Sequence, residues 1–412
     1  MADEPSRRRR LRFSLRSLMV AVLLIGSVAM LWRVRWPWVL EATLETSCAS
    51  FNEACFSTDS NYLALIGTLD LFGQEPNVQC WDCASHEKIF QVSGVRRLGV
   101  PAFTHHSRLV TIESESISIR NATTGKAERV LNTAVLSKRP LYFAISSPSG
   151  EFIAAVADGI TSIWDIDAEK LLWREEIGDS KAFFSPDSKW VAIAPIENSA
   201  AIFDARSGKR RFVVQPANAA YGAAFSPDGK QLFTWNVLGS YAIYSVDNQS
   251  KLLYELTPAR SDCPFMRAEF SPDGQLISTI EAGAVIRTWN AKTGALVATS
   301  ATQAGSDCVA FAFSTDSRHL FTAFYSQSPL ILDARTCELL FRFPEQNHVP
   351  CATLSADGRH VAIGADGGKI ALWTKRRDEG ISGFFWLPEF WLTVVFAFAM
   401  MWSLRRDCRE AR

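Results

Sequence analysis

Phe-Ser-Pro-Asp-Gly stands at residues 225–229 and recurs unchanged at residues 270–274. Looser copies occupy Phe56 to Ser60 (FSTDS), Phe184 to Ser188 (FSPDS), Phe313 to Ser317 (FSTDS) and Leu354 to Gly358 (LSADG). Weaker ones are Ser146 to Gly150 (SSPSG) and Phe103 to Ser107 (FTHHS). The copies start at 56, 103, 146, 184, 225, 270, 313 and 354, so one period of 38 to 47 residues runs eight times. Such a period is the mark of a stacked or ring-like array of small units, none of which can bury its own apolar face.

The chemistry of the unit is readable. Pro pre-sets φ, Asp hydrogen-bonds locally and Gly accepts a positive φ, so S-P-D-G is a turn. A short apolar stretch precedes each turn, as in "YGAAF", and a second follows, as in "WVAIA". A third ends, in all copies but one, in an aromatic or apolar residue with a polar neighbour. These ends are Trp81-Asp82, Arg120-Asn121, Trp164-Asp165, Phe203-Asp204, Tyr244-Ser245, Trp289-Asn290, Leu332-Asp333 and Trp373-Thr374. A hairpin turn such as "DARSG" leads to a fourth stretch such as "KLLYEL". Four short strands per period predict a β-propeller blade.

The pattern resembles the WD40-repeat family of propellers over residues 39–374. It departs from the family in lacking the Gly-His dipeptide that opens a typical repeat. The resemblance implies an all-β fold that presents loops to protein partners. The eighth unit has three strands, and the orphan stretch "VLEATLET" at 39–46 supplies a fourth. Closure by both chain ends leaves no open sheet edge and gives eight blades. Seven blades is the other count, if the weak 103–150 region is misread.

Both ends of the chain are apolar. Residues 17–36 read as a transmembrane helix: Ser17 to Trp32 carries no charge, with Arg16 and Arg33 placed to snorkel. A cleaved signal peptide is the competing reading, with Ser27-Val28-Ala29 as a cleavage site. The stretch "RFSLRSLM" resembles the start of membrane anchors on bacterial proteins. Residues 384–404 form a second span, 21 residues with the one charge of Glu389. Residues 1–16 and 405–412 are then tails and 375–383 a linker. Six Arg precede the first span and four follow the second, which places both tails in the cytoplasm and the propeller outside. The opposing Lys375, Arg376 and Arg377 leave a cytoplasmic propeller as the other topology. A closed ring brings the two spans together, because one blade holds both ends.

The middle, 37–374, carries 28 basic and 36 acidic residues. That balance opposes binding to a phosphate backbone, which needs clustered Lys and Arg. Catalytic motifs are missing: there is no G-x-S-x-G, H-E-x-x-H or P-loop. His319 and His360 share one repeat position, and His105-His106 replaces the Pro-Asp of a turn. Asp59, Asp187, Asp228, Asp273, Asp316 and Asp357 recur because the turn uses them. Cys80 and Cys83 stand in C-x-x-C spacing, but three residues apart along a strand they face opposite ways. Cys308 and Cys351 are expected on inner strands as small apolar side chains. Asn121 and Asn248 open glycosylation sequons inside repeat turns.

The residues thus predict a membrane-anchored, non-enzymatic interaction scaffold with protein partners and no catalytic, metal or cofactor site. Nucleic acid and a small-molecule substrate are not indicated. Two further readings stay open: an extracytoplasmic propeller that binds a ligand or cofactor, and a sensory domain that works through another membrane protein.

Overall fold

The computed structural model of the chain describes residues 37–376, apart from 49, 69–75, 96–101, 105–106, 114, 134–140, 142, 196–198, 215–219, 237–240, 248–250, 257–264, 282–283, 301–307, 345–347 and 366. Seven of the turn copies there are built by side chains. The Ser226 hydroxyl donates to Asp228 Oδ1 at 2.6 Å and accepts the Gln231 amide at 2.9 Å, while Asp228 accepts the Lys230 amide. The same relay joins Ser57 to Asp59, Ser185 to Asp187, Ser271 to Asp273, Ser314 to Asp316 and Ser355 to Asp357. In the SSPSG copy Ser149 takes the place of Asp and bonds Ser147. Partial burial opposes ionisation of Asp228, but the Ser226 hydroxyl and the Lys230 amide outweigh it and hold the carboxyl below its usual range. The relay seats buried hydroxyls (Ser57, Ser185 and Ser271 are fully buried) while satisfying the amide that starts the next strand.

Around each turn the chain folds into a four-stranded antiparallel sheet. The sheets span 50–93, 102–132, 143–176, 180–213, 220–256, 265–299 and 308–342, here blades 1 to 7. Blade 8 holds strands Ala352–Leu354, His360–Ala365 and Lys369–Lys375, with Trp38–Glu45 from the other end of the chain as its outer strand. The expected closure is therefore present. The first strand of every blade touches the first strand of the next, and blade 8 touches blade 1 in the same way. The chain is an eight-bladed β-propeller, and the seven-blade count is excluded.

Third strands end where the sequence predicts, at Asp82, Asn121, Asp165, Asp204, Ser245, Asn290 and Asp333. Lys375 ends the eighth, one residue beyond Thr374. In seven blades the register of the third and fourth strands slips at the residue just before that end, for example between Ile202 and Phe203. A bulge there turns the strand end into the hairpin. The Asp204 carboxylate then accepts the Ser207 amide at 2.7 Å. Gly208 follows at φ 70°, and a Cβ on it would meet the Trp173 ring of the preceding blade at 2.5 Å.

Blades pack face to face. Ala154, Ile163 and Val191 fill the seam between blades 3 and 4, and Phe233, Ile277 and Trp289 that between blades 5 and 6. At the closing seam Leu44, Leu65, Trp81 and Leu372 lie together. The Glu41 carboxylate on the closing strand stands 3.4 Å from His86 Nε2 of blade 1 and 3.6 Å from His360 Nδ1 of blade 8. It also accepts the Thr374 hydroxyl.

By contact the chain divides into residues 40–374 and a second unit of 1–39 with 375–412. In that second unit the Arg376 amide donates to the Pro37 carbonyl at 2.8 Å. The segments read as spans, 17–36 and 384–404, lie outside the described residues. Among the described residues no helix is long and apolar enough to cross a membrane. In blade 1 Trp81 falls 25 residues after Phe56, where the gap in four other blades is 19. The insertion, around "FGQEPN", lies mostly outside the described residues, while the flanking strands pair without a break from Tyr62 opposite Asp82 to Thr68 opposite Pro76.

The fifth turn residue is Gly in blades 3, 5, 6 and 8, and Ser in blades 1, 2, 4 and 7. Ser60, Ser107, Ser188 and Ser317 adopt φ of 61°, 52°, 59° and 58°, the left-handed region that disfavours a Cβ. Each uses its hydroxyl to reach the preceding blade. Ser60, Ser188 and Ser317 accept the amides of Asp357, Ser149 and Asp273, and Ser107 donates to Asp59. Replacing Ser317 by Ala removes the bond and keeps the strain, whereas Gly removes both. The S317A protein is expected to unfold at lower urea than S317G, by about 1 kcal/mol in stability. Equal losses would mean that strain at this position has no energetic weight.

Candidate functional site

Inner strands carry the side chains nearest the axis. Counted back from the first residue of each turn motif, the third preceding position holds Glu53, Phe143, Lys181, Gly222, Arg267, Ala310 and Cys351 in blades 1 and 3 to 8. Small residues hold this position in blades 5, 7 and 8, and a cavity of about 320 Å³ opens along blades 6, 7, 8 and 1. Its wall takes Asn52 to Ala54 from blade 1, Arg267 from blade 6, Cys308 to Ala312 and Phe321 from blade 7, and Pro350 to Leu354 from blade 8. Blades 1 and 6 are three steps apart around the ring, so Glu53 and Arg267 face each other only across the channel.

Electrostatics in the cavity are unbalanced. Burial pushes the Glu53 carboxyl up to about 7, against the pull of Arg267. Burial also pushes Glu269 up to about 7, although it accepts the Phe313 amide at 3.3 Å and feels Arg267. Arg267 itself is exposed. One exposed guanidinium thus stands near two carboxyls that it does not hold firmly ionised. Glu53 Oε2 is buried without a hydrogen-bond partner, a costly state for a carboxylate oxygen.

The thiols nearby are a different kind of group. Cys308 begins the inner strand of blade 7, as expected, whereas Cys351 falls one residue before that of blade 8. Burial pushes Cys308 up to about 11 and Cys351 up to about 12. Thiols held protonated at neutral pH are poor nucleophiles.

The C-x-x-C pair separates as strand geometry requires. Cys80 Sγ lies 3.7 Å from the Ala122 carbonyl of blade 2, while Cys83 packs with Leu44 and Leu372 on the side of blade 8. Both are free cysteines, and burial pushes each up to about 12. Among the described residues no group of three His, Cys, Asp or Glu side chains is arranged to hold a metal ion. His319 and His360 open the second strands of blades 7 and 8, where their amides donate to Ser314 and Ser355. Tyr62, Trp190, Gln231 and Leu276 fill the same slot in other blades. His105 and His106 lie outside the described residues, as does Asn248. Asn121 is tied to the Thr123 amide and to Glu128 within its turn.

Glu53, Arg267 and Glu269 are the residues that motif reading passes over. The signal was present: "FMRAEF" is a charged interruption in a strand whose counterparts read "YGAAF" and "VAFAF". No protein-family model matches the chain, and no curated protein matches it.

A raised carboxyl pKa has a defined consequence for stability. Glu269 binds its proton more tightly in the folded chain than in the unfolded one. Its favourable contribution is therefore complete below about pH 4.5 and is lost as pH rises to about 7. Glu269→Gln cannot ionise. Relative to the parent it should gain on the order of 2–3 kcal/mol between pH 4.5 and pH 8, measured by urea melts at each pH. A difference independent of pH would show that the carboxyl ionises normally.

Proposed function

We propose that the protein is a membrane-anchored, non-enzymatic scaffold, a WD40-like propeller that holds protein partners at a membrane. The fold suits such a role, since eight sheets in a closed ring give a rigid platform with many independent loops. Fold alone does not assign function, and the observation that carries this reading lies on the outer wall. Leu252 of blade 5, Leu296 and Val297 of blade 6, and Leu339 and Leu340 of blade 7 are each 42–49 % exposed. They fall at the same place, the start of the fourth strand, on three consecutive blades. Exposed apolar side chains repeated at one position on neighbouring blades suit an interaction surface. The anchoring rests on the two apolar segments of the sequence, with the propeller outside the cytoplasm.

Proximity labelling from the full chain in its native cell tests the scaffold. A reproducible set of partners is expected, and Leu339→Asp with Leu340→Asp should lose at least one of them while the protein remains folded. An unchanged set would remove the outer wall from the proposal. Reporter fusions at residue 250 and at Arg412 test topology. Activity of the mid-chain reporter only in the cytoplasm would reverse the orientation. The channel cavity favours a second reading, that of a ligand-binding propeller.

A further inference from the structure

From the cavity we infer that the channel binds a small amino-acid-type zwitterion, with its ammonium on Glu53 and its carboxylate on Arg267. This rests on the second, ligand-binding reading and is independent of the scaffold. The cavity, about 320 Å³, is at the small end of the range for small-molecule sites. It holds opposite charges on opposite walls. Arg267 offers a planar fork that matches a carboxylate in two parallel hydrogen bonds. Glu53 offers a buried oxygen that no protein donor satisfies. The rest of the wall mixes apolar side chains, Ala54, Val309, Ala310 and Pro350, with the polar Asn52 and Thr353. A small molecule with one anionic and one cationic end meets both charged groups together.

Other occupants fit less well. A lone anion would satisfy Arg267 and leave Glu53 Oε2 buried and repelled. A lone cation would satisfy Glu53 and be repelled by Arg267. A metal ion has no set of three donor side chains here among the described residues. The inner strands bring Glu53 and Arg267 to one cavity from different blades; Glu269, on the strand of Arg267, accepts the Phe313 amide instead of lining that cavity.

The test is a calorimetric titration of the purified full chain with glycine, L-leucine, β-alanine and 4-aminobutyrate. These place the ammonium and carboxylate one to three carbons apart. At least one should bind, and its two half-molecules, the amine without the carboxylate and the acid without the amine, should each bind at least tenfold more weakly. Glu53→Gln should abolish the advantage over the acid, and Arg267→Met the advantage over the amine. The half-molecule comparison uses the parent protein, so it reads the site even if a variant folds poorly. No heat from any of the four at millimolar concentration overturns the inference, as do equal affinities for the half-molecules or unchanged binding by both folded variants. Partner labelling is unaffected by any of these results, so the two readings fail separately.

Discussion

The pairing of Trp38–Glu45 with Lys369–Lys375 is the constraint on which the remaining structure depends. Seven blades are made from consecutive sequence and could in principle form one after another. The eighth needs two strands more than 320 residues apart in a 412-residue chain to meet. Only then does the last inner strand find the first, and only then is the channel a channel. The cavity wall, which takes residues from blades 1, 6, 7 and 8, does not exist in an open array. Glu41 reinforces the join from the closing strand, with His86 on one side and His360 on the other.

The blades were legible in the sequence because side-chain chemistry makes them. The turn relay uses a Ser hydroxyl and, in six blades, a carboxylate two residues on, and the bulged third strand ends in a large residue followed by Asp, Asn or Ser. Both leave letters in the chain. Closure was legible for a simpler reason: one unit lacked a strand and one strand lacked a unit. The C-x-x-C pair could be dismissed from strand geometry, and Cys80 and Cys83 do face different neighbours.

The channel was not legible in the same way. Glu53 and Arg267 are far apart in sequence and meet only across the ring, so no local spacing records their encounter. Nor does a motif record that the Ser at the fifth turn position reaches the preceding blade, since its partner is a backbone amide in every case but Ser107. Patterns repeat in the sequence where the structure repeats. The channel charges break the repeat, and a search for recurring letters treats them as noise.

The Ser and Gly choice at the fifth turn position divides the ring unevenly. Ser60, Ser107, Ser188 and Ser317 tie blade 8 to 1, 1 to 2, 3 to 4 and 6 to 7. Where Gly stands instead, at 150, 229, 274 and 358, no Cβ strain is incurred and no hydroxyl reaches the neighbour. The circle is thus a set of clasped groups rather than eight equal wedges. Local opening should begin at the unclasped seams, so that amides beside them exchange with solvent before those within a clasped group. A ring of this kind breathes along fixed lines, and the wedge of blades 8, 1 and 2, which contains the chain's own join, is the group in which two successive seams carry a Ser clasp.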